Sequence, residues 1–131
     1  MKKPPLLRTP TTAEWWQAAD AQHLLVQTCN RCGEAYHYPR RLCPTCWSAE
    51  TAWVTCTGLA TVVTFSVIHR PGHPAWEDEA PYCVAIVQLD EGPRLMSRIV
   101  GWEQADLAVG ARARAESIAY NESQIPAFRI I

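Results

Sequence analysis

No run of apolar residues in this 131-residue chain comes near the roughly 20 that a membrane-spanning helix needs, which excludes a helical membrane protein. Charge of one sign is not in excess: twelve Lys+Arg face thirteen Asp+Glu, net −1. A dedicated nucleic-acid binder carries a strong basic surplus, so that class starts at a disadvantage. Internal repeats and low-complexity tracts are absent. The chain opens Met1-Lys2-Lys3 as a signal peptide would, but Pro4, Pro5 and Pro10 replace the apolar stretch that should follow. The expectation is a cytoplasmic protein. Hydrophobic residues make up 48% and charged residues 19%, which excludes a disordered chain. The length suits one domain, or two small modules sharing a core.

What the chain does have is unevenly placed. Residues 1–50 hold six basic and four acidic groups, and residues 51–131 hold six basic and nine acidic. Of six cysteines, Cys29, Cys32, Cys43 and Cys46 cluster, while Cys56 and Cys83 stand apart. The shift near residue 50 suggests two modules without a flexible linker.

Residues 4–10, with three prolines, read as an extended, poorly anchored arm. Thr11 and Glu14 have the spacing of a capping box, and Trp15, Trp16, Ala19 and His23 fall on one face of a helix of about three turns. Short strands are expected at 24–28, 35–38 and 52–56. The remainder reads as all-β, with strands at 59–69, 82–89, 94–100, 111–120 and 125–131 and a helical turn within 103–108. Residues 70–81 read as a loop. Five strands with a short helix between the third and fourth are the element order of an OB-type Greek-key barrel. In the strand at 82–89, Cys83, Ala85, Val87 and Leu89 point one way, and Tyr82, Val84 and Ile86 the other. Both faces are apolar, so something should cover the outer one: the first module, the aromatic helix or another protein.

The clustered cysteines have the spacing Cys-x2-Cys, ten residues, Cys-x2-Cys. Two intervening residues let each pair wrap one side of a tetrahedral ion, and thiolates suit zinc. Two disulfides and an iron site are the alternatives, and zinc is preferred because secretion lacks support. Four thiolates close the coordination shell, so the metal is expected to be structural. Gly33, after Cys32, suits the left-handed turn of such a knuckle. Trp47 holds the matching place after Cys46, so the second knuckle is expected to close differently. Arg31, Arg40 and Arg41 concentrate positive charge here. They are either a solvated face or a contact to coenzyme A phosphates or an acidic partner patch.

These pieces, in order, resemble a known family: the zinc-ribbon/OB-fold acyl-CoA-associated proteins, catalogued as domain-of-unknown-function family thirty-five. The resemblance is carried by Trp15-Trp16, Leu24-Leu25, Cys29-Asn30-Arg31-Cys32-Gly33, Tyr38-Pro39-Arg40, Cys43-Pro44-Thr45-Cys46, Trp53 and Gly58. It continues through Thr64-Phe65-Ser66-Val67, Ala80-Pro81-Tyr82, the run from Val87 to Leu95, Gly110, and Ile125-Pro126-Ala127-Phe128-Arg129. Trp47 and the alanine-rich fourth barrel strand depart from the usual pattern. The resemblance implies a mainly β chain with an N-terminal arm and helix (1–23), a rubredoxin-like zinc ribbon (24–57) and a five-stranded OB-fold (58–131). It also implies a non-catalytic subunit that accompanies a thiolase-fold enzyme working on acyl-CoA thioesters. That partner would be a thiolase, acyltransferase or retro-aldolase, with steroid side-chain or aromatic degradation among the implied settings, in a two-plus-two assembly. The alternatives are a partner of a MaoC-type acyl-CoA hydratase and a single-stranded nucleic-acid-binding module.

Other chemistry is weighed against this. His69 and His73, with Glu77, Asp78 and Glu79, could be imagined as a second metal or acid–base site, but an exposed loop of this composition is usually solvated. Cys56 and Cys83 lack a neighbouring base and read as small hydrophobes. Trp15, Trp16, Trp76 and Tyr82 are apolar surface in search of cover, and are the expected partner-binding residues.

Overall fold

The computed structural model describes residues 2–131. A short helix, α1 (Ala13–Asp20), precedes a three-stranded sheet of β1 (Leu25–Cys29), β2 (Ala35–Tyr36) and β3 (Thr51–Thr55), ordered β2-β1-β3. The chain then forms β4 (Leu59–Ile68), β5 (Tyr82–Leu89), β6 (Arg94–Val100), β7 (Arg112–Tyr120) and β8 (Ser123–Ile130). These five close into a barrel in the order β4-β5-β6-β8-β7. Closure comes from β4 against β7, with Ala60 opposite Ala113, and from the parallel pair β6–β8, with Ile99 opposite Phe128. This is the OB topology, and it removes the exposed edges of an open sheet. No helix among the described residues is long and apolar enough to cross a membrane.

The barrel interior follows from alternation. Cys83, Ala85, Val87 and Leu89 all point inward from β5, as expected. They meet Ala60, Val62, Leu95, Ile99, Ala113 and Phe128. Small and large side chains alternate, as a narrow barrel requires. The alanine-rich β7 has a packing reason. Gly58 lies over it in a left-handed conformation (φ +88°), and a Cβ there would come within 3.2 Å of the Ala115 Cβ. The outer residues Tyr82, Val84 and Ile86 remain half-buried. Helix α1 packs on β8 and β1 instead, so it does not supply the cover expected for them.

The N-terminal segment departs from expectation in three ways. Thr11 does not cap the helix. Thr12 is the N-cap residue, and its hydroxyl engages Thr9 rather than a first-turn amide. The helix spans about two turns, and His23 lies beyond it, exposed. The arm is anchored, not loose. The Tyr120 hydroxyl donates to the Pro4 carbonyl at 2.7 Å, Lys3 pairs with Glu79 at 2.6 Å, and Arg8 pairs with Asp20 at 2.7 Å. Two further local differences are 3-10 turns. One, Pro74–Glu79, stands inside the expected loop; the other, Trp102–Gln104, replaces the helical turn expected at 103–108.

One core runs through the molecule. Trp15 and Ala19, one helical turn apart, pack with Leu24 and Val26 of the ribbon's base and with the barrel residues. The ribbon's upper half has only a small cluster of its own: Cys29, Tyr36 and Cys43, with Cys46 against it.

Candidate metal centre and surrounding surfaces

Cys29 ends β1, and the chain reverses through Cys32 and Gly33 back into β2. The reversal is made by the Gly33 N–H donating to the Cys29 carbonyl at 2.9 Å, with Gly33 left-handed (φ +80°). The second knuckle repeats this. The Trp47 N–H donates to the Cys43 carbonyl at 2.9 Å, and Trp47 itself is left-handed (φ +66°). The expectation that this knuckle closes differently is therefore corrected. The same hydrogen bond imposes the same dihedral, and the tryptophan bears the strain.

The loop between the knuckles is held by a clasp that sequence reasoning missed. Buried Gln27 donates from Nε2 to the Arg40 carbonyl at 2.9 Å and accepts at Oε1 from the Arg40 N–H at 2.7 Å. One amide side chain thus substitutes for a strand neighbour. A polar residue at an inward position of β1 was the available signal.

All four cysteine Sγ atoms lie within 4.8 Å of one another. Cys29 and Cys46 stand 3.5 Å apart, and Cys32 and Cys43 3.6 Å. A tetrahedron with 2.3 Å metal–sulfur bonds has edges of about 3.8 Å, so the arrangement fits zinc. The separations do not fit disulfides, whose sulfurs sit about 2.05 Å apart. Backbone N–H groups already favour thiolate. The Cys32 N–H holds the Cys29 thiol down at about 6, and the N–H groups of Cys46 and Thr45 lower Cys43. Cys32 receives an N–H from Glu34 but is pushed up to about 12 by burial and by the thiols of Cys43, Cys29 and Cys46. Four thiols this close cannot all ionise without a cation between them. The shell they make is closed, so the zinc these residues would hold stabilises the fold and leaves no open position for substrate.

The other expected residues are scattered. Arg31, Arg40 and Arg41 are exposed, and among the described residues none has an ion-pair partner. Trp15, expected to face a partner, is instead inside. It is 9% exposed, its Nε1–H donates to the Leu25 carbonyl at 3.0 Å, and it fastens α1 to the ribbon. Trp16 is half-buried, edge-on to Trp15 with ring centroids 4.8 Å apart. Trp76 is half-buried between His73 and Tyr120. Tyr82 lies under the Arg98 guanidinium, 4.4 Å from its ring centroid.

His69 and His73 do not combine with the carboxylates behind them. His73 Nδ1 accepts the Ala75 N–H and caps a 3-10 turn, while Glu79 is held by Lys3 and Arg98. Among the described residues the four cysteines are the only cluster with metal-ligand geometry. Cys83 is sealed in the barrel, and burial raises its pKa. Burial and nearby Glu91 push the Cys56 thiol up to about 12. Both shifts run opposite to those of an activated nucleophile.

Two family models match in tandem: the ChsH2 rubredoxin-like zinc ribbon domain over residues 16–52, and the ChsH2 C-terminal OB-fold domain over residues 53–117. A DUF35 domain-containing scaffold protein of Methanocaldococcus jannaschii is 31% identical over 112 residues, covering 84% of this chain and 79% of that protein. The chain belongs to the DUF35/ChsH2 family. Its zinc ribbon and its OB-fold are thus the two halves of one family architecture. A family relative described as a probable enoyl-CoA hydratase alpha subunit, from Thermomonospora curvata, is 36% identical over 118 residues. That match takes in 89% of this chain and 36% of the relative, so the chain spans about a third of that protein's length. Among solved structures, a chain of the Ltp2-ChsH2(DUF35) aldolase superposes with a TM-score of 0.83 at 32% identity, covering 98% of both chains.

Proposed function

We propose that this chain is a non-catalytic subunit, held together by structural zinc, that supports a thiolase-fold enzyme acting on acyl-CoA thioesters. The observation that carries the reading is the end-to-end likeness to one chain of the Ltp2-ChsH2(DUF35) aldolase. The chemistry agrees with it. The thiolate shell is closed, and the remaining cysteines are held protonated. The surface agrees too. The outer row of β5 is half-exposed, and Ile86 stands opposite Met96, which is 63% exposed. Trp16 and Trp76 show faces that a partner would cover, and Arg31, Arg40 and Arg41 remain free to meet an acidic patch or coenzyme A phosphates. A two-plus-two assembly follows if the partner is a thiolase-fold dimer.

The test is co-expression with candidate thiolase-fold proteins from the same genome, followed by size-exclusion chromatography and a turnover assay. The pair should elute together and turn over an acyl-CoA thioester, while this chain alone should not. Trp16→Ala should weaken association by roughly 2 kcal/mol, as loss of a buried aromatic anchor does, and leave the zinc bound. Separate elution, or turnover by this chain alone, would overturn the reading. The hydratase alpha subunit among the relatives favours one alternative, in which the partner is a hydratase. Co-elution with a hydratase-like protein but not with a thiolase-like one would select it.

A further inference from the structure

The three-stranded sheet of the ribbon has two edges, and they are unlike. β2 is only two residues long, too short to template a further strand. β3 runs for five residues, Thr51-Ala52-Trp53-Val54-Thr55, and pairs with β1 on one side only. Its hydrogen bonds show which way each residue faces. The Cys56 N–H donates to the Leu24 carbonyl at 2.8 Å, and the Asn30 N–H donates to the Glu50 carbonyl at 2.8 Å. Even-numbered residues of this segment therefore bond to β1. By the alternation of an antiparallel ladder, Thr51, Trp53 and Thr55 turn their backbone groups to the open side. There the Thr51 N–H is taken by the Ala49 carbonyl at 3.0 Å. The Thr51 carbonyl, and the N–H and carbonyl groups of Trp53 and Thr55, have no hydrogen-bond partner among the described residues.

Such an edge is ordinarily protected by a charge, a proline or a bulge. β3 has no charged residue, no proline and no break in its register against β1. Val54 and Thr55, at its end, are exposed. The strand is also close to its own mirror image. Read outward from Trp53, Ala52 balances Val54, and Thr51 balances Thr55.

We propose that β3 pairs antiparallel with β3 of a second copy of this chain, about a two-fold axis at Trp53. The two ribbons then share one continuous sheet, three strands from each. In this register Trp53 lies opposite the same residue of the second copy, and the two exchange a pair of N–H to carbonyl bonds. Each Thr55 N–H donates to the Thr51 carbonyl of the other copy. Every free N–H on the edge is thereby used, and only the Thr55 carbonyl is left to solvent. The opposed side chains are compatible: threonine with threonine, alanine with valine, tryptophan with tryptophan. The lack of charge matters most for a self-pair, because a charge at the centre would face its own copy. A two-fold contact of this kind closes at two chains, since each edge is consumed by the other. The pairing needs nothing from the enzyme proposed above, so the two readings fail separately.

The test uses the zinc-loaded full chain alone. Sedimentation equilibrium is run over a wide range of protein concentration, and amide hydrogen exchange is read by two-dimensional NMR. The strand edge is small beside the roughly 1,200–2,000 Å² of a standard interface, so association should be reversible and rise with concentration. The mass should climb from that of one chain toward that of two and no further. The Trp53 and Thr55 amides should gain protection as it does. Where about nine-tenths of the chains are paired, their exchange should slow about tenfold, because only the unpaired tenth exchanges. The Ala52 and Val54 amides, already bonded to β1, should not change. Thr55→Pro removes an N–H that nothing within the chain uses, at an edge position where proline is tolerated. That variant should keep its zinc and remain a single chain at every concentration. The proposal would be overturned by a parent protein that stays a single chain throughout, by association that leaves the Trp53 and Thr55 amides unprotected, or by a Thr55→Pro variant that associates like the parent. Protection of those amides only after a thiolase-fold protein is added would overturn it too, and would give the edge to an extended segment of that enzyme.

Discussion

At the scale of single residues, the two knuckles form an internal control on backbone strain. Gly33 and Trp47 donate the same hydrogen bond from the same left-handed conformation. Only glycine adopts it without a Cβ penalty of about 1–2 kcal/mol. A Cβ on Gly33 would meet nothing within 4 Å, so a substitution there reports backbone strain alone. Gly33→Ala is expected to destabilise by about 1 kcal/mol, with part of the strain offset by reduced freedom of the unfolded chain. Trp47→Gly should return up to about 1 kcal/mol, because the indole is 77% exposed and little packing is lost. Denaturant midpoints of the zinc-bound proteins measure both. A shift of the same sign in the two variants would show that something other than the dihedral governs this turn. Nothing within the chain explains why a tryptophan stands at position 47.

At the scale of elements, α1 shows how a helix too short to persist alone is made to. Its buried face is little more than Trp15 and Ala19. Trp15 joins two elements at once, packing into the common core and donating to the Leu25 carbonyl. Trp15→Ala should therefore cost about 3–5 kcal/mol, the range for removing a large buried aromatic. Trp15→Phe should cost only about 1–2 kcal/mol, mainly for the carbonyl left without its donor. Thermal or denaturant unfolding gives both values, and near-equal costs would mean that the hydrogen bond, not the packing, holds the helix. The same element marks the boundary of what could be read beforehand. Strands β5 and β6 were legible to the residue because their limits are local: Pro81, the Asp90-Glu91-Gly92-Pro93 turn and Gly101 bound two short apolar-rich runs. The cysteine spacing likewise announced the metal centre. The anchoring of the arm was not legible, since Pro4 meets a hydroxyl 116 positions away and no local pattern encodes that. Trp15 and Trp16 were indistinguishable as letters. Which one turned inward depended on where β1 placed its Leu25 carbonyl. The 3-10 turn at Pro74–Glu79 was hidden for another reason: its cap is a histidine ring nitrogen, outside the usual capping residues.

At the scale of the whole molecule, two parts of unequal self-sufficiency share one core. The barrel closes its own hydrogen-bond ladder and seals Phe128, Leu89 and Ile99 completely. The ribbon's private core is three residues, two of them metal ligands, so its folding energy is largely that of the metal. The two are nonetheless joined, because Leu24, Val26 and Trp15 pack into the same cluster as the barrel interior. Removing the zinc should therefore unfold residues 25–55 while the barrel persists, and the first casualty beyond the ribbon should be Trp15. Its indole would lose the Leu25 carbonyl and the His37 ring, now 5.6 Å from it by centroid. Thiol modification in the presence of a metallochromic indicator should release one zinc per chain. Tryptophan emission should shift to the red as release proceeds, and the β-strand circular dichroism of the barrel should largely survive. Cys43→Ser should reach the same partly folded state without any reagent. Loss of all structure in one step would show that barrel and ribbon form a single cooperative unit. Release without any change in emission would show that the ribbon holds its shape without the metal. Either result would break a division of labour in which the metal supports the ribbon and the ribbon supports the helix.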